Sequence, residues 1–293
     1  MLHELINRLT RYDKGEARSI VRLLLECSFG MSYTDICAGA LERLTETEKE
    51  RLEQMMMRLE QGEPVQYVIG KAQFCGRDFI VRPGVLIPRP ETEELVTWVE
   101  DEVSNILDIG TGSGCIAITL ALEHPEAKVT AWDISEDALA IARENAEALG
   151  AQNVLFEQKD INNPNNLNNL NNLNNLNNLQ DLIISNPPYI CEREKKEMDS
   201  NVLEHEPEVA LFVPDEDPLL FYRKIAEMGR WALKDGGWLY FEINPLFVSE
   251  MRDMLKALEY RDVEVRRDQY GKERMMRARK EQVLSSVNFF EVL

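Results

Sequence analysis

Apolar residues recur every three or four positions at the start of the chain. Leu2, Leu5, Ile6 and Leu9 share one helical face, as do Ala17, Ile20, Val21 and Leu24, and later Leu52, Met55, Met56 and Leu59. Glycines and Ser/Thr clusters separate these stretches, so residues 1–64 predict a small helical bundle. The period then shortens. Alternation through "VQYVIGKAQFCGRDFIV" (65–81), with Gly76 inside it, predicts a β-hairpin. Pro83, Pro88 and Pro90 follow within "RPGVLIPRPETEE", which predicts a stiff linker, and 65–91 is read as hairpin plus linker.

From 92 to 293 the pattern is strand, helix, strand, helix. "NILDIG" (105–110), "KVTAWD" (128–133), "NVLFEQ" and "DLIIS" (181–185) are short apolar strands. Between them "CIAITLALEH" and "SEDALAIARENAEAL" are helical, with Ser135 as N-cap and acids in the first turn. A helix over 217–234, a turn at "DGG" (235–237), the strand "WLYFEI", another helix and two strands complete the chain. Such alternation predicts an α/β fold, a parallel sheet with helices on both faces. One stretch breaks it. "NNPNNLNNLNNLNNLNNLQ" (162–180) repeats every three residues, which fits neither helix nor strand, and asparagine favours neither. It reads as a polar surface insertion without chemistry.

Charge narrows the possible partners. The 293 residues carry a formal net charge of −19. A strongly acidic chain disfavours coating nucleic acid or an anionic membrane surface, because both need a positive field. The five cysteines have no metal-ligand or redox spacing, and with three histidines a metal site is not expected. Unpaired cysteines fit a reducing compartment. No run is long and apolar enough to span a membrane, and "MLHELINRL" lacks the layout of a signal peptide. A cytoplasmic protein is expected, acting as a monomer.

Four features carry chemistry. In "LDIGTGSG" (107–114) a strand runs into a glycine loop that opens a helix, so the backbone can approach a ligand and offer amide donors. The spacing G-x-G-x-G is a poorer fit to a dinucleotide site than G-x-G-x-x-G, and no G-K-[ST] follows. Asp133 ends the next strand, where an acid in such a unit reaches the two hydroxyls of a ribose; a plain helix-capping role is the alternative. Asp160 and Ile161 end the third strand, placed to accept from an adenine amine and to pack on its face. "NPPY" (186–189) ends the fourth. Ligands bind at the carboxyl ends of strands in these sheets. The prolines make a rigid turn, so the Asn186 side chain and the Pro187 carbonyl stand as fixed acceptors for a planar nitrogen with two protons. Tyr189 offers a face for stacking. The motif by itself leaves adenine and glutamine equally open.

Together, "DIGTGSG", Asp133 and "NPPY" resemble class I S-adenosylmethionine-dependent methyltransferases that modify amino-type nitrogen. Within that group the chain resembles the glutamine methyltransferases of peptide chain release factors, the HemK/PrmC family. The likeness extends through "IPRPETE" (87–93), "ISNPPYI" (184–190), "EHEPEVAL" (204–211), "FYRKI" (221–225) and "GKERMM" (271–276). It implies a Rossmann-like class I methyltransferase sheet behind a helical N-terminal domain that docks the release factor. It implies S-adenosylmethionine held by Gly110, Thr111, Gly112, Ser113, Gly114 and Asp133, with Asp160 and Ile161 at the adenine. Some members have an aromatic residue at 161. Asn186 would touch cofactor and substrate, and Pro187, Pro188 and Tyr189 would bind the glutamine of a Gly-Gly-Gln loop; Asn186, Pro187 and Tyr189 are the expected catalytic set. An adenine-N6 methyltransferase acting on nucleic acid is the alternative; the acidic charge stands against it, while the basic stretch 266–280 reads as a solvated edge hairpin or, equally, as a surface for an RNA-bound partner. Asn244 stands in "FEINPLF" where many members carry Gly, and is expected to leave the chemistry untouched.

Overall fold

A computed structural model describes residues 2–99, 102–163 and 179–281. The N-terminal helices are α1 (Leu2–Arg8), α2 (Lys14–Phe29), α3 (Tyr33–Cys37) and α4 (Glu46–Glu60). Each boundary has a local cause. Asp13 caps α2, accepting from the amides of Gly15 and Glu16, and left-handed Gly30 ends it. Thr45 and Glu48 form a capping box at α4. The apolar stripes seen in the sequence meet in one core, where Val21, Leu24, Leu25, Met56 and Leu59 are fully buried.

Residues 65–82 differ from the expected hairpin. Val65–Ile69 is a short helix, α5, and only Lys71–Phe74 (β1) and Arg77–Ile80 (β2) form the antiparallel pair. Val65, Val68 and Ile69 stand at helical spacing and pack into the bundle core, and that burial outweighs the β-branched preference for strand. Gly70, at φ 86°, ends the helix. The linker is also shorter than expected. Pro90 is the first residue of helix α6 (Pro90–Thr97), where a missing amide proton costs nothing. Nor is the linker loose, because Val85 and Ile87 are buried and the Tyr67 hydroxyl donates to the Val85 carbonyl at 2.5 Å.

The described residues then form a seven-stranded sheet in the order β10-β11-β9-β6-β3-β4-β5. Its strands are β3 (Asn105–Ile109), β4 (Lys128–Asp133), β5 (Val154–Gln158), β6 (Gln180–Ser185), β9 (Leu233–Glu242), β10 (Tyr260–Arg267) and β11 (Glu273–Lys280). All are parallel except β11, which pairs antiparallel with both neighbours. Helices α7 (Cys115–Glu123) and α8 (Glu136–Leu149) follow β3 and β4. Beyond β6 come the two-residue β7 (Ile190–Cys191), α9 (Ser200–His205), β8 (Phe212–Val213) and α10 (Leu220–Ala232), while α11 (Val248–Ala257) follows β9. Ser135 caps α8, as expected. "DGG" is not a turn before a strand: it lies within β9, where the register with β6 shifts between Leu233 and Trp238 and Gly236 takes φ 79°. The insertion read over 162–180 lies, from 164 to 178, outside the described residues.

Two features bear on the site. The chain moves outward from β3 to β4 and β5, then returns to β6 on the other side of β3. That reversal opens a crevice at the carboxyl ends of β3, β4 and β6. The β10–β11 edge hairpin is less solvated than its charge suggested, because the Arg277 guanidinium sits 4.8 Å from the Trp98 ring and 4.7 Å from Trp238.

A buried amide on α8 ties the β1–β2 hairpin to that helix and to the loop after β3. The Asn145 carbonyl accepts from the Ile80 amide (2.6 Å), and its amino group donates to the carbonyls of Ile80 (3.0 Å) and Ser113 (2.9 Å). Asn145→Leu leaves these groups unpaired at a site with no solvent access, which is expected to cost at least about 1–3 kcal/mol. Thermal unfolding checks this, and an unchanged midpoint would contradict it.

Candidate active site

β3 delivers the glycine loop to the crevice. Gly110, Gly112 and Gly114 all take positive φ (76°, 54° and 82°), which side chains with a Cβ resist. Gly114 also has no room: a Cβ there would stand 2.8 Å from Ile118 Cδ1 and 3.1 Å from Ala142 Cβ, between α7 and α8. Gly112 meets nothing within 4 Å and faces the open cleft.

Four of the loop amides are already engaged within the protein. Those of Gly110 and Thr111 donate to the Trp132 carbonyl (2.8 and 3.0 Å), that of Gly112 to Asp133 Oδ2 (2.8 Å), and that of Gly114 to the Thr111 carbonyl. The glycines therefore serve close approach of the backbone rather than donation. Thr111 and Ser113 are buried beneath the loop and do not line the cleft. The Thr111 hydroxyl donates to Asp108 Oδ2 at 2.6 Å. Asp108 has no solvent access, and burial pushes its carboxyl up to about 7.

Asp133 ends β4 at the cleft wall. Its carboxylate takes the Gly112 amide on Oδ2 and the Ser135 amide on Oδ1 (2.9 Å), while burial raises its pKa above the usual carboxylate range. Asp160 and Ile161 line the same cleft, and Ile161 packs against the core under α10. With Val85, Leu86 and Ile134 they line an open cleft. A buried acid, apolar walls and a bare glycine backbone fit an adenosyl group.

A second cavity adjoins the first. Asn186, Pro187, Leu86 and Ala210 line both, so the Asn-Pro turn forms part of a common wall. Pro188 faces the first cavity and Tyr189 the second. The turn is braced from below. Asn186 Nδ2 donates to Thr92 Oγ1 (3.1 Å), Thr92 Oγ1 donates to Glu242 Oε2 (2.5 Å), and the Tyr189 hydroxyl donates to Glu242 Oε1 (3.0 Å). Asn244 packs beside this turn: its amino group donates to the Tyr189 carbonyl (3.1 Å) and to Glu194 (3.0 Å).

Sequence reasoning missed Thr92, Glu242, Arg89 and Glu206. Arg89 lines the second cavity and donates to Glu206 Oε1 (2.7 Å), a carboxylate otherwise buried that also accepts the Ile87 amide. The signal for Glu242 was present as one acid inside the apolar strand "WLYFEI". Glu206 had no such mark among the many acids of 192–217.

The comparisons with known proteins agree with this geometry. Residues 100–240 match the family model of a methyltransferase domain, and residues 1–70 match that of the PrmC N-terminal domain. A solved methyltransferase from Pyrococcus furiosus shares the fold with a TM-score of 0.51 at 17% identity, over 81% of this chain and all of that one (100%). Fold and cleft define a class I S-adenosylmethionine-dependent methyltransferase. The chain is 48% identical to a release factor glutamine methyltransferase of Bacteroides thetaiotaomicron, over 93% of this chain and 99% of the relative. It is 39% identical to one of Bacillus subtilis, over 89% and 91%. At that similarity, and over nearly the full length, the chain belongs to the release factor glutamine methyltransferase family.

Asp133→Ala is expected to weaken S-adenosylmethionine binding by about 1.5–3 kcal/mol, the worth of hydrogen bonds to a charged group. In the unaltered protein, binding should weaken as pH falls and Asp133 takes up a proton, at a higher pH than for an ordinary aspartate, because burial raises it. Titration calorimetry across pH reads both effects, and affinity independent of Asp133 would contradict the assignment.

Proposed function

We propose that this protein transfers a methyl group from S-adenosylmethionine to the side-chain amide nitrogen of the glutamine in the Gly-Gly-Gln loop of peptide chain release factors. The observation that carries the reading is the common wall: Asn186 and Pro187 border both cavities, so groups held on either side meet at this turn. The first cavity, with Asp133 at the ribose and Asp160 and Ile161 at the adenine, takes the cofactor. The second, with Tyr189, takes the glutamine. The relatives are named for this activity.

Bound S-adenosylmethionine supplies the methyl group as an electrophilic sulfonium. An amide nitrogen is a weak nucleophile, since its lone pair is delocalised into the carbonyl. The protein's task is therefore orientation and charge placement rather than strong base catalysis. Asn186 Oδ1 and the Pro187 carbonyl accept the two amide protons, which aims the nitrogen lone pair at the cofactor cavity. The same oxygens stabilise positive charge as it develops on nitrogen. The proton then leaves to water.

The bundle of residues 1–64 helps dock the release factor. Supporting this, Arg11, between α1 and α2, pairs with Glu204 of α9 at 2.9 Å, and Val202 of the same helix lines the second cavity. Residues 65–91 then join the bundle to a methyltransferase domain over 92–293. Unpaired cysteines fit a cytoplasmic setting, and no described helix is long and apolar enough to cross a membrane. The protein works as a monomer. The adenine alternative is not favoured, since the relatives carry the glutamine activity in their names and the charge is −19.

Asn186→Ala is expected to lower kcat by about 10²–10³, the usual effect of removing one such polar group, with cofactor affinity little changed. Single-turnover transfer to a release factor tests it. Near-normal turnover by the variant, or faster transfer to an adenine oligonucleotide than to the release factor, would sink the reading.

A further inference from the structure

We infer that Thr92 and Glu242 are positioning residues that fix which edge of the Asn186 side chain faces the substrate cavity. The inference rests on the function proposed above and deepens it.

The chemistry runs in one direction. Glu242 closes β9 and is 2% exposed, and each of its oxygens accepts one hydroxyl proton, from Thr92 and from Tyr189. An ionised carboxylate has no proton to give. Thr92, itself 3% exposed in the first turn of α6, has a single hydroxyl proton, and the carboxylate takes it at 2.5 Å. Towards Asn186 that hydroxyl can only accept. The partner 3.1 Å away must therefore be the Asn186 amino group, which leaves Oδ1 for the cavity. An Asn amide has two nearly isosteric orientations, and only the one with Oδ1 outward can receive a proton from a glutamine amide. The carboxylate of Glu242 thus sets the polarity of a side chain it does not touch. Its second bond, to Tyr189, holds the aromatic wall of the same cavity. In short, the buried acid is the root of a two-branched relay ending on Asn186 and Tyr189, two of the residues of the turn that line the substrate cavity.

The relay is sensitive to one protonation. If Glu242 binds a proton it can donate to Thr92, the Thr92 proton is released towards Asn186, and the amide is free to invert. The groups acting on Glu242 are Thr92 and Glu91 from α6, Tyr189 after β6 and Arg274 from β11, while Tyr222 from α10 donates to its backbone carbonyl at 3.2 Å. Burial dominates among them and raises its pKa above that of an ordinary glutamate. The working form is the ionised one, so turnover should fall on the acid side, starting above the pH at which an exposed glutamate protonates.

The test uses the full-length protein, S-adenosylmethionine and a purified release factor. Thr92→Val should lower kcat about 10–100-fold, as expected for a misaimed reactive group, with the KM for the release factor and cofactor affinity unchanged. Thr92→Ser should restore most of kcat. Glu242→Gln should lower kcat and abolish its acid limb. Wild-type kcat in Thr92→Val, or a loss confined to KM or to melting temperature, overturns the inference. Should Thr92→Val not fold, the pH profile of Glu242→Gln decides, and an acid limb identical to that of the wild type also overturns it. Absence of glutamine methylation by the wild-type protein would refute the proposed function instead.

Discussion

An ionised carboxylate can accept hydrogen bonds but cannot give them, and placing Glu242 in that form at the carboxyl end of β9 imposes that rule on everything around it. Thr92 must donate downward, Asn186 must donate to Thr92, and Tyr189 must donate sideways. Leaving the acid without these partners would cost several kcal/mol. The linker helix, the strand end and the Asn-Pro turn, which lie far apart in the chain, are therefore held to one arrangement by a single side chain. The catalytic turn is rigid from two sources: its prolines restrict the backbone, and the relay restricts the side chains.

The sheet explains why the turn lies where it does. β6 is flanked by β3 and β9, and Leu182, Ile183 and Ile184 are buried to within 1%. A strand covered on both faces ends firmly, so Asn186 is delivered at the same rim as Gly110 and Asp133. The reversal of strand order between β3 and β6 opens the crevice into which these residues project. Close packing behind the loop depends on Gly114, where a side chain would strike α7 and α8. The cleft thus owes its shape to the sheet and its polarity to a few side chains at strand ends.

Much of this was legible in the sequence. The parallel strands and their helices announced themselves through apolar runs, because burial on both faces requires them, and Asp133 and Asn186 stood at their ends. Residues 65–69 carry a strand-like local pattern because valine and isoleucine favour strands; only the bundle core, absent from local pattern, explains the helix. Pro90 was counted as linker because a proline breaks a helix everywhere except in its first turn. The glycine loop was legible as a loop, but its amides could not be known to be spent on Trp132 and Asp133, since that depends on how β3 and β4 meet. The same holds for Thr92 and Glu242, whose partnership spans 150 residues and leaves no local periodicity. The bond of Asn244 to the Tyr189 carbonyl likewise becomes visible only in three dimensions.

The central claim concerns one atom, so the most direct measurement locates it. A release factor incubated with this protein and S-adenosylmethionine carrying a labelled methyl group is digested, and the modified peptide is fragmented. The expected result is a single methyl group on the side-chain nitrogen of the Gly-Gly-Gln glutamine. A methyl group on any other residue, or a release factor left unlabelled under conditions where an adenine-bearing nucleic acid is modified, would contradict it.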